Sequence, residues 1–282
     1  MKNYIYSISL IVAAMISMTS CQKESYDDTE VSVKISAEIA DPVLKAAGDA
    51  AEIDILHYEI WNETFTAVIA DGTETVSQLT ASIDLKLIRN KTYNIILWAQ
   101  NSGCNAYSWE NLKEIKVSYK DAGLEYASGN EERRDAFYAV SQIKTHNVMD
   151  KYISLQRPFS QLNFFGDDLE GAVLTGSEVK VKGLSDVFDT VAGEGKVSDN
   201  AVHTFAASGV FSEVKVMDKG VEYTHAVMNY VLLPGKTDTY IDINATFGAT
   251  KAGAALTGTH EMKSVKVRKN ERINIYGSLL TN

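Results

Sequence analysis

The sequence predicts an all-β protein, and three observations carry that expectation. Apolar residues recur at every second position in many short stretches, turn signals separate those stretches at intervals of about 8 to 12 residues, and no helical period of useful length competes. Short strands in that rhythm point to β-sandwiches. A break at Gly166-Asp167-Asp168 divides them into an N-terminal sandwich, residues 31–165, and a C-terminal one, residues 166–282.

The opening stretch is the clearest. Val31, Val33, Ile35, Ala37 and Ile39 fall at alternate positions, a one-sided strand that Asp41-Pro42 stops. Residues 53–61 read as a second strand, 65–70 as a shorter third ending in Asp71-Gly72, and 78–87 as a fourth. Tyr93-Asn94-Ile95-Ile96-Leu97-Trp98-Ala99 is almost continuously apolar, which suits a central strand covered on both faces. A looser stretch, 101–111, leads to a strand at 115–119 and a polar segment, 121–135, whose Glu131, Glu132, Arg133 and Arg134 read as a solvated loop or short helix. Strand character returns at 136–140, 151–155 and 160–165, and beyond the break at 179–181, 187–188, 202–205, 223–233, 239–247, 260–267 and 272–280.

Composition narrows the function classes. The 282 residues carry 27 basic and 37 acidic side chains, a formal charge of -10, which argues against a nucleic-acid partner held by a broad basic face. At 45% hydrophobic and 23% charged, the chain can bury a proper core. Three prolines and two cysteines supply neither a rigid stalk nor a disulfide framework, so packing must hold the fold.

The first 20 residues read as an address rather than a domain. Lys2 precedes an apolar run from Ile5 to Met18 that is shorter than the ~20 residues a membrane span needs. The run ends in Met18-Thr19-Ser20-Cys21, which resembles the lipobox of bacterial lipoproteins, although that consensus prefers Leu at Met18 and Gly or Ala at Ser20. The resemblance implies acylation of Cys21, for instance with palmitate, and attachment of the mature protein to the outer membrane through the lipid. The plain alternative is an ordinary export signal with an incidental cysteine. Residues 21–30 are polar and acidic and read as a tether. With Cys21 acylated, Cys104 has no partner and reads as a small core or loop thiol.

Chemistry is thinly represented. The five histidines lie at 57, 146, 203, 225 and 260, and His57-Tyr58-Glu59 is the one pair on a shared strand face; a metal there still needs two further ligands. No Gly-x-Ser-x-Gly elbow and no phosphate loop occurs, and Asp167-Asp168 or Glu131-Glu132 cannot be read as an acid/base pair, because the spacing such a pair needs is spatial. The reading is therefore a non-enzyme without metal or cofactor. Tyr107, Trp109 and Tyr126 lie in loop-rich stretches and are candidate glycan contacts, since an aromatic ring offers an apolar face to a sugar; packing at the edge of the core is the plainer reading.

Five segments together resemble the fimbrillin-like lipoproteins of Bacteroidales, in an uncharacterised branch of that superfamily. They are Tyr93–Gln100 with Ala106-Tyr107, Asp135-Ala136-Phe137-Tyr138, residues 155–163 (LQRPFSQLN), residues 228–234 (MNYVLLP) and residues 270–281 (NERINIYGSLLT). The similarity runs from about Val31 to the C-terminus. It implies two tandem transthyretin-like, Greek-key β-sandwich domains, presented at the cell surface as a fimbrial or adhesive subunit. Its partners would be other fimbrial subunits or ligands on host or bacterial surfaces. In pilus-forming members an arginine-specific protease removes the first strand, and another subunit's strand fills the groove. Here that strand is 31–39. The cleavage arginine corresponds to Lys45, a departure that leaves an arginine-only protease without its site. A surface glycan-binding lipoprotein on the same scaffold is the alternative. Asp189-Thr190-Val191 also resembles an O-glycosylation acceptor, with a plain turn as the simpler reading.

Overall fold

The computed structural model describes residues 29–40, 50–119, 132–196, 202–207, 215–235 and 238–281. Among them the regular structure is β, with one 3-10 turn at Glu132–Arg134. The first half contributes β1 (Glu30–Ile39), β2 (Ile55–Asn62), β3 (Val68–Thr75), β4 (Thr80–Ile88), β5 (Thr92–Gln100), β6 (Tyr107–Ser108), β7 (Glu114–Val117), β8 (Ala136–Lys144) and β9 (Met149–Leu155). The second contributes β10 (Phe159–Gly166), β11 (Ala172–Lys182), β12 (Val187–Asp189), β13 (Glu194–Gly195), β14 (Val202–Ala207), β15 (Lys215–Asp218), β16 (Val221–Leu232), β17 (Thr239–Lys251), β18 (Ala254–Val267) and β19 (Arg272–Gly277).

Two facing sheets make up each half. In the first, β4-β1-β9 packs over β3-β2-β5-β8; in the second, β15-β16-β10-β19 packs with β14-β11-β17-β18. The halves repeat one topology. The first strand of each runs antiparallel to one neighbour and parallel to the last strand of its own half, β1 beside β9 and β10 beside β19. The break therefore falls earlier than the sequence pattern places it. Residues 159–165, expected in the N-terminal sandwich, form β10 and pair with β16 and β19 of the C-terminal one, because the apolar run at 159–165 finds its ladder partners there.

A fifth sheet, β13-β12-β7-β6, joins the halves. β6 and β7 leave the first half between β5 and β8, β12 and β13 leave the second between β11 and β14, and β7 pairs antiparallel with β12. The core is arranged accordingly. Ile95, Leu97 and Ala99 on one face of β5 enter the first core, while Ile96 and Trp98 on the other enter the second. That two-sided burial is why β5 reads as continuously apolar. The polar cluster before β8 is not a solvated loop throughout: Arg134 is 1% exposed and its guanidinium donates to the Ser118 carbonyl.

Candidate functional site

The candidate site is the groove that β1 occupies. Alternation makes this segment a strand with an apolar inner face, and Val31, Val33, Ile35, Ala37 and Ile39 are all buried against the first core. β4 runs antiparallel along its whole length, from Glu30 opposite Ile88 to Glu38 opposite Thr80, and β9 runs parallel from Val33 opposite Met149 to Ile39 opposite Leu155. β1 is therefore the middle strand of its sheet. Its ends are stitched as well, by Arg89 N–H to the Thr29 carbonyl at 2.8 Å and Ala40 N–H to the Leu155 carbonyl at 3.2 Å.

Backbone ladders and apolar burial are what hold it. Among the described residues no side-chain hydrogen bond or ion pair ties Ser32, Lys34, Ser36 or Glu38 to a neighbouring strand. A depression of about 440 Å³ opens beside the first half of the strand, lined by Ser32, Lys34, Asp84, Lys86, Val148 and Asp150 among others. Burying a Val or Ile side chain stabilises by about 1.5–3 kcal/mol. Four of these and an alanine amount to a large share of the ~5–15 kcal/mol that separates folded from unfolded domains. Withdrawing β1 exposes that apolar surface and leaves unpaired edges on both β4 and β9.

The other sequence-predicted residues lie elsewhere. Cys21, Lys45 and Tyr126 fall outside the described residues. Tyr107 is no glycan platform: it is 7% exposed, its hydroxyl donates to the Arg134 carbonyl, and it stacks on Phe159 at 5.4 Å. Burial pushes its phenol well above the ordinary value. Trp109 is half-buried, packs at the edge of the second core and meets His57 edge-on at 4.9 Å. The core needs these rings at its rim, and sequence alone cannot separate a rim from an open loop.

His57 and Glu59 do share a face of β2, as alternation requires, but Glu59 accepts from Trp61 Nε1 at 2.8 Å instead of facing a metal. Among the described residues no cluster of three or more metal-ligating side chains occurs, and no helix is long and apolar enough to cross a membrane. Asp168 accepts from the backbone N–H groups of Leu279 and Leu280 at 2.8 and 2.7 Å, and Asp167 from the Ser278 hydroxyl at 2.7 Å, so this pair clamps the C-terminal residues. Thr190 is 1% exposed and donates to the Leu112 carbonyl at 2.7 Å; the folded chain does not present it for glycosylation. Sequence reasoning missed the walls of the groove as a set. Ala81, Ile83, Leu85 and Leu87 of β4 alternate legibly, but their pairing with β1 is a long-range contact without a local signal.

The family model described as "Family of unknown function (DUF6562)" matches residues 23–282. The chain belongs to that family. No curated protein matches this DUF6562 chain. Among solved structures it is similar to the fimbrial anchor protein Mfa2 from Porphyromonas gingivalis, at 11% identity over 88% of this chain and 90% of that one, TM-score 0.47. It is similar to a fimbrial assembly protein from Parabacteroides distasonis at 12% identity over 89% and 91%, TM-score 0.42. A candidate polysaccharide-binding protein from Bacteroides thetaiotaomicron stands at 12% identity over 89% and 92%, TM-score 0.46. With TM-scores below 0.5, these likenesses carry no argument about what the chain does.

Proposed function

We propose that this protein is a lipid-anchored cell-surface subunit of a fimbrial or adhesive assembly, joined to its neighbours by exchange of the Glu30–Ile39 strand. One observation carries the reading. β1 is a complete middle strand, paired on both sides, yet among the described residues no side-chain tie holds it. A strand of that kind can be replaced by an extended segment whose alternating side chains fit the same groove, which restores both ladders and covers the same apolar surface.

Anchoring rests on the Ser20-Cys21 junction and its resemblance to a lipobox. Cys21→Ala is expected to release the protein from membranes, and membrane association unchanged by that substitution overturns the anchor. For exchange, a chain beginning at Ala46 is expected to be less stable than the full chain and to take up a peptide of residues 29–40. Equal stability with no peptide uptake sinks the assembly reading. Surface fractions run on a gel without boiling are expected to show laddered oligomers after limited proteolysis near Lys45.

A further inference from the structure

Three alanines meet at one level of the groove. Ala37 lies opposite Ala81 of β4, and Ala99 of β5 approaches from the facing sheet. Ile39, Leu56, Val76 and Leu155 close the surround, and the space left between these side chains admits no water molecule. One inward step earlier the groove is filled by larger side chains: Ile35 lies opposite Ile83, and both are fully buried. The groove therefore presents levels fitted to branched side chains at 31, 33, 35 and 39, and a narrow level at 37.

That difference matters because a strand's side chains repeat every two residues. A segment slid by two positions keeps all its apolar residues inward, and the backbone ladder re-forms equally well. Neither alternation nor hydrogen bonding distinguishes the two registers. The narrow level does. Slid by two, the segment forces Ile35 or Ile39 into the space shaped for Ala37 and leaves an alanine where a branched side chain belongs, so overpacking and a void arise together.

We infer that the groove selects its occupant by side-chain size, requiring a small residue at the level of Ala37 between branched aliphatic ones, and that this sets the register in which the Glu30–Ile39 segment of a second copy seats there. Entry of a second copy's strand rests on the exchange reading above; the size rule itself acts equally on the chain's own β1.

Two measurements on the full-length protein test this. In thermal unfolding, Ala37→Val is expected to lower the midpoint although it adds apolar surface, and Ala81→Gly, which opens the same level, is expected to recover part of that loss in the double variant. In the second, the protein is unfolded and refolded with an excess of labelled peptide of residues 29–40, either native or carrying Ala37→Ile. Uptake of the substituted peptide is expected to be about tenfold weaker. A midpoint raised by Ala37→Val, or equal uptake of the two peptides, overturns the size rule. A lowered midpoint with no uptake of either peptide upholds the size rule for the chain's own strand and overturns exchange between copies.

Discussion

Arg157 shows how much a single side chain carries where the halves join. Its guanidinium makes two 2.6 Å bonds to the Asp135 carboxylate, a third at 2.8 Å to Asn270 Oδ1, and lies 4.5 Å from the centre of the Phe137 ring. Burial by itself lowers its pKa, and the hydrogen bonds and charge of Asp135 more than offset that, holding it above the ordinary value. Removing one partner leaves the other charged and buried, so Asp135→Ala is expected to cost about 3–5 kcal/mol in urea unfolding. His225 makes a second residue-scale prediction. Burial lowers its pKa from 6.5 to about 4, so the folded state refuses a proton that the unfolded chain accepts. The stability it contributes is complete above about 6.5 and is lost as pH falls toward about 4. His225→Phe keeps the stacking on Phe165, at 4.6 Å in the native protein, and is expected to flatten the unfolding profile across that window. Glu59 has the opposite sign. Burial raises its pKa, so its contribution is present at low pH and lost as pH rises. Glu59→Gln keeps an acceptor for Trp61 and is expected to stabilise the protein at neutral pH more than at acidic pH.

Between elements, the instructive contrast is β1 against its counterpart β10. Both open a half, both are flanked on two sides, and both run parallel to the last strand of their half. β10 is locked by side chains: the Ser160 hydroxyl donates to the Arg268 carbonyl, Asn163 Nδ2 donates to Asn274 Oδ1 at 3.2 Å, and Gln161 Nε2 lies 3.4 Å from the Tyr230 hydroxyl. β1 has no such ties among the described residues, and its outer face is Glu, Ser, Lys, Ser and Glu. Its stability contribution should therefore sit almost wholly on the inner face. Ile35→Asp is expected to unfold the protein under conditions where the native chain is folded, because it buries an unpaired charge. Lys34→Ala is expected to change stability by less than about 0.5 kcal/mol. A large effect of Lys34→Ala in the same urea titration would mean that the outer face holds the strand after all.

For the molecule as a whole, the shared sheet makes the halves interdependent. β7 pairs with β12, the Tyr119 hydroxyl donates to the Ser185 carbonyl at 2.7 Å and accepts from Leu232 N–H at 2.9 Å, and Trp98 of the first half has ring contacts with Phe159 and Phe188 of the second. A fragment ending at 158 would expose Trp61, Ile96 and Trp98 to water and strip β7 of its partner. Thermal unfolding of the full chain is therefore expected to be a single transition. Phe188→Ala, which empties the space between Trp98 and Tyr138, should move that transition down as a unit, by about 3–5 kcal/mol, without splitting it. Two separate transitions would mean that the fifth sheet does not couple the halves.

The amino-acid order was enough to determine the β class, the position of most strands, the inward set of β1 and the two-sided burial of β5. Each of these follows from a local period: side chains of a strand alternate between faces, so water and core select residues two positions apart. The identity of each strand's neighbour has no such local record. That β1 lies between β4 and β9, that residues 159–165 belong with the second half, that β7 reaches across to β12, and that Tyr107 and Trp109 are packed at a rim were decided only when distant segments met. Ladder hydrogen bonds are the same for any pair of backbones, so pairing is chosen by how whole faces fit together, and that fit exists only in three dimensions.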